Sequence, residues 1–133
     1  MTAQLDALGI VVDDMARSLA FYRELGLDVP PEADEQPHAE AALPGGLRVL
    51  FDTAANIQSF DPDWQPSTEG RHRLELAFRL DSPAEVDSLY DKLVSLGYQG
   101  HKEPWDAVWG QRYAMIHDPD GNSVSLFADR GAG

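Results

Sequence analysis

The chain has no cysteine, no long apolar run and few cations. Without Cys among its 133 residues it has no disulfide, no thiolate nucleophile and no Cys-based metal site. Lys and Arg number 10 against 23 Asp and Glu, a formal net charge of −13. Such a chain repels nucleic acid and anionic membrane surfaces, and admits a cationic or neutral small molecule more readily. No apolar stretch approaches the ~18 residues that span a bilayer. The first residues, MTAQLDALGIVVDD, carry no basic region, sustained apolar stretch or cleavage site, so no secretory leader is expected and a cytoplasmic location follows. G-x-S-x-G, the P-loop and G-x-G-x-x-G are also missing, which leaves hydrolase, nucleotide and dinucleotide chemistry without footing.

What is present suits one soluble globular domain: 43% hydrophobic and 25% charged residues. A chain of this length buries roughly two-thirds of its unfolded surface, enough for a core without staples. One unit is written twice. Leu5 to Val12 reads as a strand, Asp13 and Asp14 as N-cap candidates, and Met15, Leu19, Tyr22 and Leu25 as a helix stripe stopped by Gly26. HAEAALPGG and LRVLFDT then give two strands around a turn. In the second half Arg73 to Leu80 alternates as a strand. SPAE is a capping box headed by Ser82, and Val86, Leu89, Leu93 and Leu96 form a helix stripe stopped by Gly97. GQRYAMIHDPDG and NSVSLFA close a hairpin at Asp-Pro-Asp-Gly. Asp13 lies over Asp81, Gly26 over Gly97 and Gly46 over Gly121. Two units, each with one sheet face under its helix, would turn their other faces toward a shared cleft.

LGIVVDDMARSLAFYRELGL and WGQRYAMIHDPDGNSVSLF carry a resemblance to the vicinal-oxygen-chelate superfamily of glyoxalases, extradiol dioxygenases and bleomycin-resistance proteins. PHAEA, SFDPDWQ and AVWGQRYA narrow it toward small antibiotic-binding resistance proteins of the bleomycin and mitomycin type. The resemblance implies an α+β fold of two tandem βαβββ units, residues 1–55 and 72–130, joined by a linker over 56–71, with a mixed sheet curved around a cleft. It also implies a homodimer. The superfamily's enzymes hold a divalent metal at positions that are Ala7, Leu50, Glu75 and Ser125 in this chain. One carboxylate among four cannot chelate a hard cation, so the expectation is no metal, no other cofactor and no catalysis. A different metal site built from His38, Glu40, Asp52 and His117 is left open by spacing. The bland reading makes His38 a ligand contact and His117 a polar residue beside the turn, with His72 and His101 in exposed loops.

Strand parity assigns the cleft lining. Ser123, Ser125, Phe127, Tyr113 and Met115 should face inward in the second half, with Trp109 and Gln111 extending the row. Arg48, Leu50, Asp52, His38 and Glu40 should face inward in the first. Arg112, Ala114 and Ile116 should face the helix. The expected ligand set joins His38, Glu40, Leu50 and Asp52 to Glu75, Trp109, Tyr113, Met115 and Ser125, with Trp64 and Trp105 in flanking loops as lids. Aromatic and acidic groups in one place point to sequestration of a planar aromatic molecule, an antibiotic on the resemblance. The competing readings are a glyoxalase- or dioxygenase-like metalloenzyme with atypical ligands, and a regulatory or interaction domain whose cleft is vestigial.

Overall fold

The structure is a computed structural model and describes residues 2–66 and 74–131. His72, Arg73 and linker positions 67–71 lie outside the described residues. The chain divides into two units, residues 1–70 and 71–133, each α+β with its own mixed sheet. No described helix is long and apolar enough to cross a membrane.

In the first unit β1 (Ala7–Val12) leads to α1 (Met15–Glu24). Of the two candidate caps, Asp14 is the one used; its side chain accepts from the Arg17 backbone N–H at 3.1 Å. Met15, Leu19 and Tyr22 fall on the buried side as their spacing requires. Gly26 follows with φ +98° and Gly97 repeats this after the second unit's helix with φ +100°, the left-handed step that ends a helix at small cost only for glycine. β2 (His38–Ala42) and β3 (Arg48–Thr53) form the hairpin, and the sheet order is β1-β3-β2, with β1 parallel to β3.

Two expectations need correction here. Among the described residues this unit runs βαββ, one strand fewer than βαβββ; a 3-10 turn over Pro31–Glu35 stands between α1 and β2. Pro30 and Pro31 remove two backbone donors and fix φ, which disfavours a paired strand. The linker also begins as a helix, α2 (Ala54–Phe60), whose cap Thr53 accepts from the Asn56 N–H at 3.1 Å.

The second unit is a full βαβββ: β4 (Glu75–Arg79), α3 (Pro83–Ser95), β5 (Gly100–Ala107), β6 (Gln111–His117) and β7 (Ser123–Asp129), in sheet order β4-β7-β6-β5. The capping box forms, with Ser82 Oγ accepting from Glu85 N at 3.3 Å. The return bond from Glu85 lands one residue early, on the Asp81 N–H at 2.9 Å. In the Asp-Pro-Asp-Gly turn, buried Asp118 accepts from the backbone N–H groups of Asp120 and Asn122 at 2.9 and 2.8 Å.

Alternation along the strands then sorts the side chains. Val49 and Phe51 pack toward the helix side in the first unit with Leu19 and Tyr22; Ala114, Ile116, Val124 and Leu126 do so in the second with Val86 and Leu93. Arg112 shares that side and reaches its edge, binding Asp87 of α3 through Nε at 2.9 Å.

Candidate functional site

The other face of the second sheet is where aromatic residues gather. Cross-strand pairing places Trp105, Tyr113, Phe127 and Arg79 in one row across β5, β6, β7 and β4. Tyr113 and Phe127 lie nearly parallel, centroids 6.0 Å apart at 22°. Trp105 meets Tyr113 edge-on at 5.4 Å. Trp109, in the β5–β6 turn, also meets Tyr113 edge-on at 5.4 Å and stands 6.1 Å from Trp105. Each such pair contributes about 0.5–1.5 kcal/mol beyond burial, so the four rings hold one another in place. Trp109 remains 58% exposed, with its indole N–H given to Gln111 Oε1 at 3.0 Å. Its ring is therefore fixed and still open to a ligand.

Two side chains differ from expectation. Trp105 was expected in a flanking loop, but it stands inside β5. Pro104 and the charged run HKE conceal that strand, and the pairing with β6 is irregular on both sides of Lys102. For the same reason His101 is strand rather than loop, with its ring 5.0 Å from that of His117. Phe127, left out of the expected ligand set, completes the cluster. Its signal was available in the alternation of SVSLFA, which places it on the face of Ser125.

Beside the rings, Glu75 on β4 accepts from Ser125 Oγ at 3.0 Å and more weakly from the Tyr113 hydroxyl at 3.4 Å. Ser125 is fully buried. Met115 lies between Lys102 and Ser125 in the register. Thus Glu75, Trp105, Trp109, Tyr113, Met115 and Ser125 share one face of one sheet.

The corresponding face of the first unit is ionic. His38 and Asp52 occupy the cross-strand positions that Tyr113 and Phe127 hold in the second unit, an ion pair standing where the other copy has a ring stack. His38 Nδ1 lies 2.7 Å from Asp52 Oδ1, and Nε2 lies 2.9 Å from Glu40 Oε2. Arg48 continues the chain, donating to Glu40 at 2.6 Å and to Asp6 at 2.5 Å, while Asn56 donates to Asp52 at 2.9 Å. Leu50 lies on this face between Gly9 and Glu40. Trp64 belongs to this unit too, its carbonyl tied to Gln58 at 3.2 Å.

A neutral imidazole donates from one nitrogen only, so a carboxylate on each nitrogen selects the imidazolium. Accordingly the His38 pKa is raised above its ordinary 6.5, by the bond to Glu40 first and that to Asp52 next. Glu40 is held below its usual range by His38 and then Arg48. Because the folded pKa of His38 exceeds the unfolded one, the stabilisation is complete below about pH 6.5 and fades as pH rises through the folded value. The His38 ring protons are expected to titrate in NMR with a midpoint above 6.5. A midpoint at or below it would mean that the two-sided clamp is absent in solution.

A family model described as the Glyoxalase/Bleomycin resistance protein/Dioxygenase superfamily matches residues 4–126. The chain belongs to that superfamily. Members with solved structures share its fold. A glyoxalase/bleomycin resistance protein/dioxygenase family enzyme from Burkholderia phytofirmans PsJN is 20% identical, with TM-score 0.80 over 96% of this chain and 99% of that one. A glyoxalase-related enzyme from Fulvimarina pelagi is 21% identical, with TM-score 0.77 over 96% of this chain and 89% of that one. A glyoxalase/bleomycin resistance protein/dioxygenase from Nocardioides is 24% identical, with TM-score 0.72 over 100% of this chain and 87% of that one. No curated protein matches the sequence.

The superfamily's metal positions, as carried over by the resemblance, supply a methyl at Ala7, an isobutyl at Leu50, a carboxylate at Glu75 and a hydroxyl at Ser125. The carboxylate already takes hydrogen bonds from two hydroxyls, and one donor of this kind does not fit a divalent ion at those positions. The alternative donors fare no better. His38, Glu40 and Asp52 do meet, but on opposite ring nitrogens, and His117 lies in the other unit. Among the described residues no group of three or more His, Asp or Glu is placed to hold a metal ion.

Proposed function

We propose that this member of the glyoxalase/bleomycin-resistance/dioxygenase superfamily binds and sequesters a planar aromatic molecule without altering it, an antibiotic being the reading that the narrower resemblance favours. The carrying observation is the four-ring platform of Trp105, Trp109, Tyr113 and Phe127 on the sheet face turned away from α3. Sequestration needs affinity and no catalytic group. Micromolar binding corresponds to about −8.2 kcal/mol, which one or two stacks do not reach, so burial of the ligand's apolar area supplies most of it. The donor set at the superfamily's metal positions supports binding over metal-assisted turnover. A homodimer belongs to the same proposal, with exposed Leu5, Phe60 and Val108 as apolar surface for a contact.

Titration of tryptophan fluorescence with flat drugs, bleomycin and mitomycin types among them, is the test. Saturable quenching with the drug recovered unchanged is expected, and Trp109→Ala should weaken it roughly fivefold to tenfold. Unfolding free energy should fall by no more than about 1–3 kcal/mol, the scale of its two edge-on ring contacts, since the Trp109 ring is otherwise mostly in water. A larger loss of stability with drug affinity unchanged would make Trp109 a core residue. Stoichiometric metal retained through dialysis would favour an enzyme, and no quenching by any drug would favour a vestigial site.

A further inference from the structure

We infer that the flat ligand carries an anionic substituent and that Lys102 receives it, an inference that rests on the platform reading above. In a chain with 23 acids and 10 Lys and Arg, an arbitrary surface is expected to be acidic. The platform is not. Strand β5 carries Lys102, Glu103 and Asp106, and the backbone sorts them to different sides. Asp106 is taken by Arg112 at 3.2 Å and Arg130 at 3.5 Å, and Arg112 is itself held by Asp87 on α3. Tyr90 of α3 has its phenol pKa raised by burial first and then by the charges of Glu103 and Asp91. Lys102 goes the other way, its ammonium 4.2 Å from the centroid of the Trp105 ring.

The carboxylates on the platform face are already engaged. Glu75 holds the hydroxyls of Ser125 and Tyr113. Asp129 accepts from Gln111 at 3.0 Å and from Arg79 at 2.8 Å. Among the described residues no carboxylate pairs with Lys102, whose charge therefore lies on the ring platform without an anion. A carboxylate, sulfonate or phosphate group on a ring laid against Trp105 and Trp109 would meet that ammonium. A cationic group would find the rings already served by Lys102 and by Arg79, which lies 5.0 Å from the Phe127 centroid. The net charge of −13 argues the other way at long range, but it is screened beyond roughly 8 Å at physiological salt, so the local group decides.

Three probes of one shape make the test: 2-naphthoate, 2-naphthylmethanol and 2-naphthylmethylammonium, titrated calorimetrically into the full chain at about 0.15 M salt, where the net charge is screened. Naphthoate should bind roughly threefold to fivefold tighter than the alcohol, the upper range for an exposed ion pair, and the ammonium probe no tighter than the alcohol. In Lys102→Gln the ratio of naphthoate to alcohol affinity should fall to about one, and Lys102→Arg should restore it. An ammonium probe that binds as well as naphthoate, or a ratio that survives Lys102→Gln, would overturn the assignment of Lys102 while leaving the platform standing. Failure of all three probes would remove the platform and this inference with it.

Discussion

Ser125→Asp is expected to destabilise the protein by about 3 kcal/mol at neutral pH, the usual scale for a buried charge that lacks a partner. Ser125 is fully buried and its hydroxyl donates to Glu75 at 3.0 Å. An aspartate there replaces a donor with a second acceptor, so two carboxylates confront one another at hydrogen-bond range. One of them must take up a proton or the strand must yield, and its folded pKa rises above the unfolded value. Stability should accordingly be regained as pH falls and lost as pH rises through that raised value. Urea unfolding of both proteins at pH 5 and pH 8 measures it. A variant equally stable at both pH values, and equal to the parent, would show that Glu75 and Ser125 do not meet. Added Mn(II) or Zn(II) supplies a further reading. Stabilisation of the aspartate variant alone would mean that the superfamily's frame still brings these two positions within chelating reach, and that the serine is what removes the metal.

Phe51→Ala should cost about 3–5 kcal/mol, the range for emptying a buried aromatic site. Phe51 is fully buried on the central strand of the first sheet, paired with Ile10 on one side and Ala39 on the other. Its ring lies 5.4 Å from Tyr22, which in turn stands edge-on to Phe21 at 5.0 Å. A close-packed interior leaves neighbours little freedom to refill such a site. Against a typical total of 5–15 kcal/mol, the loss should leave the protein marginal at best. A change below about 1 kcal/mol would mean that the site collapses freely and that the α1–sheet packing is loose.

Much of this was legible in the chain because the signals are local. Asp14, Ser82, Gly26 and Gly97 mark helix ends through groups that act within one turn, and the Asp118 turn makes its bonds within four residues. The face assignments of Tyr113, Met115, Ser125, His38, Glu40 and Asp52 followed from a period of two, which has no alternative once a strand is placed. What stayed hidden depends on contacts or on breaks in that period. β5 carries Pro104 and two register shifts, so its alternation is scrambled and Trp105 read as loop. The helix over Ala54–Phe60 has a cap but no buried stripe, which leaves nothing periodic to detect. The further strand not found among the described residues of the first unit could be supposed only by assuming that both copies match; Pro30 and Pro31 argued otherwise. The placement of Lys102 on Trp105, and of a carboxylate at each nitrogen of His38, belongs to side chains choosing among rotamers, and spacing carries no record of that choice.

Alternation has one more consequence, at the level of the gene. Along β6 and β7 the residues that hold the sheet to α3, among them Ala114, Ile116, Val124 and Leu126, occupy every second codon, and those of the ring-bearing face, Tyr113, Met115 and Phe127, occupy codons between. Missense change at the exposed in-between positions would alter what the proposed binding face recognises, and in the other set whether the strand stays folded. On the binding reading, specificity could change through a handful of in-between codons while the buried set kept the fold. Because the unit exists in two copies, one face can drift toward ion pairs and the other toward rings without either copy losing the half of its message that makes it fold.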